Sequence, residues 1–385
     1  MKLNRGLFLI NLLFSILLLS CRSEHECKYK GGKKLQLPTN FNFPSQDLYD
    51  LQRQVSKLLS RELDSAAQAI VDQLEVTALS ATILVPQQGV WQIDTGYADL
   101  EKQIKVADST IFYWASVSKM ITGIVIQQLI SEQKLELYET LSNWYPDFQL
   151  ANEITIFDLL HHTSGIYSFN SDSSLYQNPK YRTPQELLQI ARGKNNLFHP
   201  GEYWSYSNTN YLLLALIAEK ITNKSYAQLV QDLVAKPNGL TTLRALEPEE
   251  VPANLAFGHT NDKVTTRDYS VPVGAGNVVS SSSDMAVLLQ KLLTGEIFPL
   301  ATVHNWLNDL YPMFDKGLYY GQAMMVYNFN EINQTNDLWI GHSGGTPDYN
   351  AILVYDVESR IIVAVAINDS TPAAAVANVL LQFLK

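Results

Sequence analysis

One stretch decides the fold: Phe112-Tyr113-Trp114-Ala115-Ser116-Val117-Ser118-Lys119. The apolar residues that follow predict a helix over 116–133, so the Ser116 hydroxyl and the Lys119 amine lie on one helix face. A serine becomes an effective nucleophile when a neighbouring base takes its proton, and an amine is that base only if its surroundings lower its pKa. The apolar segments around Ser116 predict a partly closed cleft that does so. We therefore predict that Ser116 is acylated.

A second candidate segment is Tyr206-Ser207-Asn208, which directly precedes a predicted helix from Asn210. A tyrosine hydroxyl beside Lys119 can pass a proton to a leaving group, and the Asn208 amide can hold both substrate and lysine. The alternative is structural, with a tyrosine in a turn followed by a helix cap. Both interpretations stay open when this segment is taken alone.

A third candidate segment is His342-Ser343-Gly344-Gly345, which follows an apolar run and precedes a predicted strand. Small residues at the edge of a sheet let a substrate backbone pair alongside the strand. The Gly345 N–H can join the Ser116 N–H as an oxyanion hole, and the loss of one such donor typically raises the reaction barrier by about 3–4 kcal/mol. We therefore predict that this segment binds substrate.

Together the three segments resemble the serine β-lactamase and penicillin-binding-protein family, in the branch similar to class C β-lactamases and D-alanyl-D-alanine carboxypeptidases. Two more stretches are similar to family motifs, Leu159-Leu160-His161-His162-Thr163-Ser164-Gly165 and the glycine-rich Gly274-Ala275-Gly276-Asn277-Val278-Val279-Ser280. The resemblance spans roughly residues 78–368, and its motifs occur in the family's order.

The resemblance implies three catalytic roles, with Ser116 as nucleophile, Lys119 as base and Tyr206 as proton relay. It implies D-alanyl peptides, short esters or β-lactams as small-molecule or peptide substrates, water as the acceptor, and neither a metal nor an organic cofactor. Selectivity among these substrates is expected to depend on the loops 166–182 and 296–320, whose shape the sequence does not reveal.

Two positions depart from the family pattern. His342 stands where the family often has lysine, which predicts a weaker, pH-dependent cation for a substrate carboxylate. Asp348 stands where glycine is usual, and it either repels an anionic substrate or serves as a turn residue. Both departures argue against strong β-lactamase activity.

The order of predicted elements indicates an α/β (α+β) fold, with an antiparallel sheet flanked by helices. Sheet parts at about 45–115 and 320–385 enclose a mostly helical part at about 116–319. A helix is predicted from Ser45 to Leu74, and capping boxes at Thr155 and Thr183 predict two further helix starts. Predicted strands cover 79–85, 89–97, 351–357 and 361–367, and a closing helix follows Pro372.

The first twenty residues predict a signal peptide, with a charged start, an apolar stretch and Leu18-Leu19-Ser20-Cys21 at its end. This ending resembles a bacterial lipobox, so we expect export, a lipid on Cys21 and a membrane anchor in the cell envelope, on the outer-membrane or periplasmic side. An ordinary secretory signal is the alternative. Residues 21–44 predict a tether, and with only Cys21 and Cys27 present disulfides have no part in the predicted fold.

The net charge of −10 argues against nucleic acid as a partner. A nucleophile elbow at Gly341–Gly345 would need a following helix and a later histidine, but a predicted strand follows and His342 is the last histidine. A metal site is disfavoured because the chain has no H-E-x-x-H motif.

In the pair His161-His162, one residue is expected to be a structural hydrogen-bonding group. We expect a monomeric enzyme, with an envelope sensor or scaffold that binds penicillin or peptide as the alternative.

Overall fold

A computed structural model describes residues 33–38, 41–177, 180–265, 268 and 272–385. The predicted signal peptide, the predicted lipidation site Cys21 and the start of the predicted tether lie outside these residues. None of the helices in the described ranges is long and apolar enough to cross a lipid bilayer.

Strands of the described chain gather mostly into one large sheet. They are β1 (Ala78–Val85), β2 (Gly89–Asp99), β3 (Ile104–Lys105), β4 (Phe112–Tyr113), β5 (Arg244–Ala245), β6 (His259–Thr260), β7 (Lys263–Val264), β8 (Val278–Ser280), β9 (Tyr311–Pro312), β10 (Leu318–Tyr320), β11 (Met325–Asn328), β12 (Leu338–Thr346), β13 (Tyr349–Asp356) and β14 (Ile362–Ile367).

The large sheet has nine antiparallel strands in the order β3-β2-β1-β14-β13-β12-β11-β10-β9. Strands from the two ends of the chain meet where β1 pairs with β14, with Leu79 opposite Ile367. This arrangement confirms the predicted antiparallel sheet assembled from both chain ends. Two small sheets, β4-β8-β5 and β6-β7, were not predicted as such because their strands are only two or three residues long.

Helices cover both faces of the large sheet. In the described chain they are α1 (Lys57–Leu74), α2 (Ser118–Ser131), α3 (Ile156–His161), α4 (Ser174–Gln177), α5 (Pro184–Arg192), α6 (Asn208–Thr222), α7 (Tyr226–Leu229), α8 (Lys236–Asn238), α9 (Ser282–Leu293), α10 (Leu300–Asn305), α11 (Phe329–Asn333) and α12 (Ala373–Leu384). A wider helical segment, Val230–Ala235, joins α7 to α8, and 3-10 turns form at Gln46–Leu48, Ala115–Val117, Leu141–Asn143 and Phe169–Ser171.

The strand β14 shows how the core is divided. Its side chains alternate between the two faces of the sheet, because successive residues of a strand point in opposite directions. Ile362, Ala364 and Ala366 lie in the core that includes α9, whereas Val363, Val365 and Ile367 lie in the core that includes α1 and α12. Each fully buried valine or isoleucine contributes about 1.5–3 kcal/mol of transfer free energy, so a strand buried on both faces is apolar throughout.

The predicted strands and the closing helix are confirmed, but the predicted start of the first helix at Ser45 is wrong. Helix α1 begins at Lys57, where the Ser56 hydroxyl accepts the Leu59 N–H at 3.2 Å. The segment before it pairs with β2 instead, since the Val55 N–H donates to the Val90 carbonyl at 3.1 Å. A tertiary hydrogen bond thus overrides a helical spacing of apolar residues.

Both predicted capping boxes are confirmed. The Thr155 and Asp158 side chains each bond the other's backbone N–H at the start of α3, and Thr183 and Glu186 do the same at α5. Helix α3 ends at His161, after which His162 adopts a left-handed φ of 61°.

Candidate active site

The turn that carries Ser116 is held on both sides by β8. The Trp114 N–H donates to the Val278 carbonyl at 3.0 Å, and the Trp114 indole N–H donates to the Ser280 carbonyl at 3.1 Å. On the other side of Ser116, the Ser118 hydroxyl accepts the Val278 N–H at 3.0 Å. Ser116 therefore lies in the 3-10 turn Ala115–Val117. The residues on either side of this turn, Trp114 and Ser118, are both hydrogen-bonded to β8.

Lys119 is fully buried, and its Nζ lies 3.1 Å from the Ser116 Oγ. The same amine donates to the Ala275 carbonyl at 2.7 Å. Burial lowers the pKa of Lys119 well below its ordinary value, because the charged amine would lose its hydration. An uncharged amine has a lone pair for the Ser116 proton, and the Ala275 carbonyl accepts one of its remaining N–H groups.

Tyr206 lies beside the lysine, with 4.8 Å between the Lys119 Nζ and the centre of the phenol ring. The Tyr206 hydroxyl is buried and makes no hydrogen bond of good geometry within the described chain. Burial raises the pKa of Tyr206, and the nearby Ser116 hydroxyl lowers it by a smaller amount. The phenol is therefore protonated at neutral pH and can donate a proton.

Asn208 opens α6 two residues after Tyr206 and lines the same cavity as Ser116. Its backbone N–H donates to the Ser168 hydroxyl at 2.8 Å. The side-chain Oδ1 is buried and has no hydrogen-bond partner among the described residues. Asn208 thus lines the cavity, while its Oδ1 stays buried in the wall.

The strand β12 becomes an edge where it passes the nucleophile. Its pairing with β11 ends at Gly341, so the residues from His342 to Thr346 pair only with β13. Gly344 lies against the turn Ala115–Val117, the nucleophile turn, because a Cβ placed on Gly344 would stand 2.7 Å from the Ser116 nitrogen. Gly345 lines the cavity together with Ser116.

His342 does not line that cavity, and its side chain is fully buried. Its Nε2 lies 3.2 Å from the Tyr320 hydroxyl, and its Nδ1 lies 2.5 Å from the Ser343 carbonyl oxygen. Burial lowers the pKa of His342 to about 3. A buried, neutral ring outside the cavity does not support the prediction that His342 is a cation that binds a substrate carboxylate. Ser343 is also absent from the lining, and its hydroxyl faces the Met325 sulfur at 3.6 Å.

Ser116 opens into a cavity of about 730 Å³. Its walls come from the nucleophile turn, the loop before α5, the start of α6, the segment around β6 and β7, the glycine-rich segment and the end of β12. The lining residues are Tyr113, Ala115, Ser116, Phe169, Asn170, Leu175, Lys180, Tyr181, Arg182, Asn208, Val251, Phe257, Val264, Thr265, Asp268, Pro272, Ala275, Gly276, Gly345, Thr346 and Pro347. The loop 166–182 thus contributes to the cavity, whereas the loop 296–320 does not.

Asp348 is fully buried and joins two walls of the cavity. Its carboxylate accepts the Thr346 hydroxyl at 2.9 Å and the hydroxyl of Thr265 on the facing segment. A Cβ on Gly258 would lie 2.5 Å from the Asp348 Oδ2, so a glycine at 258 makes room for this carboxylate. These contacts favour the structural interpretation of Asp348 over repulsion of a substrate.

Ala275 is the site residue that the sequence reasoning missed. Its contribution is a carbonyl group, which no side-chain pattern reveals. The available signal was the glycine-rich segment 274–280, where Gly274 has a φ of 71° and its α-carbon lies close to the Tyr211 carbonyl. A segment that requires such a backbone is a candidate for close approach to a functional group.

The chain belongs to the Beta-lactamase family, whose model matches residues 63–383. It is similar to penicillin-binding protein 4* of Bacillus subtilis (strain 168), with 26% identity over 310 residues that cover 73% of this chain and 66% of that protein. It is also similar to the teichoic acid D-alanine hydrolase of Staphylococcus aureus, with 26% identity over 235 residues that cover 58% of this chain and 57% of that protein. The matches thus span less than two thirds of either relative.

A solved structure with the same fold is the D-amino acid amidase from Ochrobactrum anthropi SV3 complexed with L-phenylalanine amide. Its TM-score to this chain is 0.74 at 22% identity, and the match covers 84% of this chain and 98% of the amidase. At this identity the likeness establishes the fold, with its large antiparallel sheet and flanking helices.

Proposed function

We propose that the protein is a serine hydrolase that works through an acyl-enzyme on Ser116. One observation carries this proposal: a fully buried lysine amine lies 3.1 Å from the serine hydroxyl. Burial lowers the pKa of this amine, and no carboxylate of the described residues counteracts that shift. A lysine with this environment serves as a base rather than as a surface cation.

The proton follows a short route in the proposed reaction. As the Ser116 Oγ bonds to the acyl carbon, its proton moves to the Lys119 Nζ, and the backbone N–H groups of Ser116 and Gly345 hold the oxyanion. The bond to the leaving group then breaks, and the leaving group takes the Tyr206 proton, which Lys119 replaces. Water attacks the acyl-enzyme, gives a proton back along this route, and releases the acid and free Ser116.

The proposed substrates are small D-alanyl compounds, either peptides or esters. The names of two similar proteins, a teichoic acid D-alanine hydrolase and a D-amino acid amidase, support a D-amino acyl group as the part that is transferred to Ser116. The buried position of His342 supports an ester or amide over a leaving group that must be bound through a carboxylate. β-Lactams are the weakest candidates for turnover.

Intact-mass measurement after incubation with a fluorescent penicillin or a D-alanyl aryl ester tests the proposal. The wild-type protein is expected to gain the mass of the acyl group, and Ser116→Ala is expected to gain none. An adduct that persists in Ser116→Ala would remove the nucleophile assignment. Stable labelling without release of product would instead favour the envelope sensor or scaffold.

The proposed location is the bacterial cell envelope, with a lipid on Cys21. Expression of the full chain in a lipoprotein-processing host, followed by membrane fractionation, tests this point. The wild-type protein is expected in the membrane fraction and Cys21→Ser in the soluble fraction. Equal distribution of the two proteins would contradict lipid anchoring.

A further inference from the structure

His162 is bonded to the backbone on both sides of Tyr206. Its carbonyl oxygen accepts the Ser205 N–H at 3.0 Å, and its ring Nδ1 accepts the Ser207 N–H at 3.1 Å. Both bonds depend on the left-handed backbone of His162, which has a φ of 61° directly after the end of α3. One residue therefore anchors the two neighbours of the predicted proton relay.

The ring of His162 must be neutral to make its side-chain bond. Because Nδ1 accepts a backbone N–H, the single ring proton is on Nε2. Burial lowers the pKa of His162 well below its ordinary value, so the neutral form persists. The Nε2 atom is buried and has no hydrogen-bond partner among the described residues. An unpaired buried donor costs about 1–3 kcal/mol, which an apolar residue at 162 would avoid.

The same ring also lies against the phenol that it anchors. The ring centres of His162 and Tyr206 are 4.3 Å apart. Tyr320 and Tyr211 pack against the His162 ring as well, at 4.6 Å and 5.1 Å. These contacts hold the imidazole in place, so its bond to the Ser207 N–H also restricts the position of the adjacent residue, Tyr206.

We propose that His162 is a positioning residue for Tyr206, which it acts on through the two backbone bonds to Ser205 and Ser207. This inference rests on the proposed function of Tyr206 as the proton relay. A relay donates over a single hydrogen-bond length, and a displacement of about 1 Å can cost about 100-fold in rate. The neighbouring His161 has no such link, since its Nδ1 lies 2.9 Å from the Phe157 carbonyl and its ring stacks on Phe157.

Three variants separate this role from general packing. His162→Asn places its Oδ1 where the histidine has Nδ1, and asparagine tolerates a left-handed backbone, so both bonds remain. His162→Phe keeps an aromatic ring but leaves the Ser207 N–H without its acceptor. His161→Phe is the matched control, because it replaces an equally buried histidine ring in the same motif.

The kcat and KM for hydrolysis of a D-alanyl aryl ester are measured for wild type and all three variants, together with thermal unfolding. We expect His162→Phe to lower kcat about 10- to 100-fold with KM within about twofold, because proton transfer and not binding is affected. His162→Asn is expected within about threefold of wild type, and His161→Phe likewise. Equal losses in His162→Phe and His161→Phe, or a greater loss in His162→Asn than in His162→Phe, would overturn the proposal, as would an unchanged His162→Phe.

Crystal structures of the three variants provide a readout that does not depend on turnover. Tyr206 is expected to move relative to the Lys119 Nζ by about 1 Å or more in His162→Phe, and to keep its place in the other two. If wild-type protein forms no adduct on Ser116, the proposed function fails, yet the position of Tyr206 still decides whether His162 holds it. An unmoved Tyr206 in His162→Phe would overturn the positioning role even in an active enzyme.

Discussion

Gly344 lies so close to Trp114 that a methyl group on the glycine would stand 2.6 Å from the Trp114 carbonyl oxygen. The same methyl group would stand 2.7 Å from the Ser116 nitrogen, one of the two proposed oxyanion donors. Both atoms belong to backbone, so neither can swing aside as a flexible side chain would. β12 and the nucleophile turn can therefore lie this close together only because residue 344 has no side chain.

Gly344→Ala is expected to lower kcat/KM about 100-fold or more, because β12 and the nucleophile turn must separate to admit the methyl group. The measurement is ester hydrolysis alongside thermal unfolding. Gly193→Ala is the control, since its nearest new contact is at 3.4 Å and its backbone is right-handed. Full activity in Gly344→Ala would contradict the close approach.

The acylation rate is expected to fall as the pH drops through the pKa of Lys119. The proposed base is the uncharged amine, and burial lowers this pKa, so the amine is uncharged at a lower pH than an ordinary lysine would be. Lys119→Arg stays protonated, and we expect it to lose about 10²- to 10⁴-fold in rate. The measurement is the acylation rate between about pH 5 and pH 9, a range in which His342 stays neutral because its pKa is about 3. A wild-type profile in Lys119→Arg would exclude the lysine as base.

Asp348→Ala is expected to loosen the two cavity walls that its carboxylate joins. Loss of the acceptor leaves the Thr265 and Thr346 hydroxyls without this partner, at a cost of about 1–3 kcal/mol in the free energy of unfolding. KM is expected to rise several-fold and kcat to change little, since the buried Asp348 carboxylate bonds the threonines of the two cavity walls. Asp348→Asn keeps an acceptor oxygen, so its free energy of unfolding and its KM are expected to lie between those of wild type and Asp348→Ala. A loss confined to kcat would point to a direct role in chemistry.

Asn208→Ala is expected to discriminate between substrates with and without an amide carbonyl in the acyl group. Asn208 lines the cavity, and its Nδ2 can donate to such a carbonyl, whereas its Oδ1 is buried. The loss of one hydrogen bond typically costs about tenfold. An N-acetyl-D-alanyl aryl ester is therefore expected to lose about tenfold in kcat/KM, and an aryl acetate much less. Equal losses for both esters would show that Asn208 acts on the protein rather than on the substrate.

Features coded by nearby residues were predicted well from the sequence. The capping boxes at Thr155 and Thr183 each depend on residues three positions apart, and both form as expected. The spacing of Ser116 and Lys119 likewise predicted the hydroxyl–amine contact that the structure contains. Each of these relationships lies within one helical turn, where spacing alone determines distance.

Features that depend on distant contacts were beyond the sequence. The chain before α1 pairs with Val90, which no local pattern reveals, so the helix was predicted too early. His342 was expected to bind a substrate carboxylate because it stands where the family often has lysine, but its ring is buried and contacts the Tyr320 hydroxyl of β10. The pair His161-His162 was recognised, whereas the choice between them needed the backbone of Ser205 and Ser207.

The pairing of β1 with β14 has a consequence for synthesis. Whether the chain leaves a ribosome or a membrane channel during export, β1 and its partner β2 emerge early, but the other edge of β1 stays unpaired until nearly the whole polypeptide has emerged. During that interval an apolar strand has an open row of hydrogen-bonding groups, which invites pairing with other chains. We expect nascent chains truncated before β14 to aggregate or to engage chaperones, and a circular permutant that joins the two termini to fold faster.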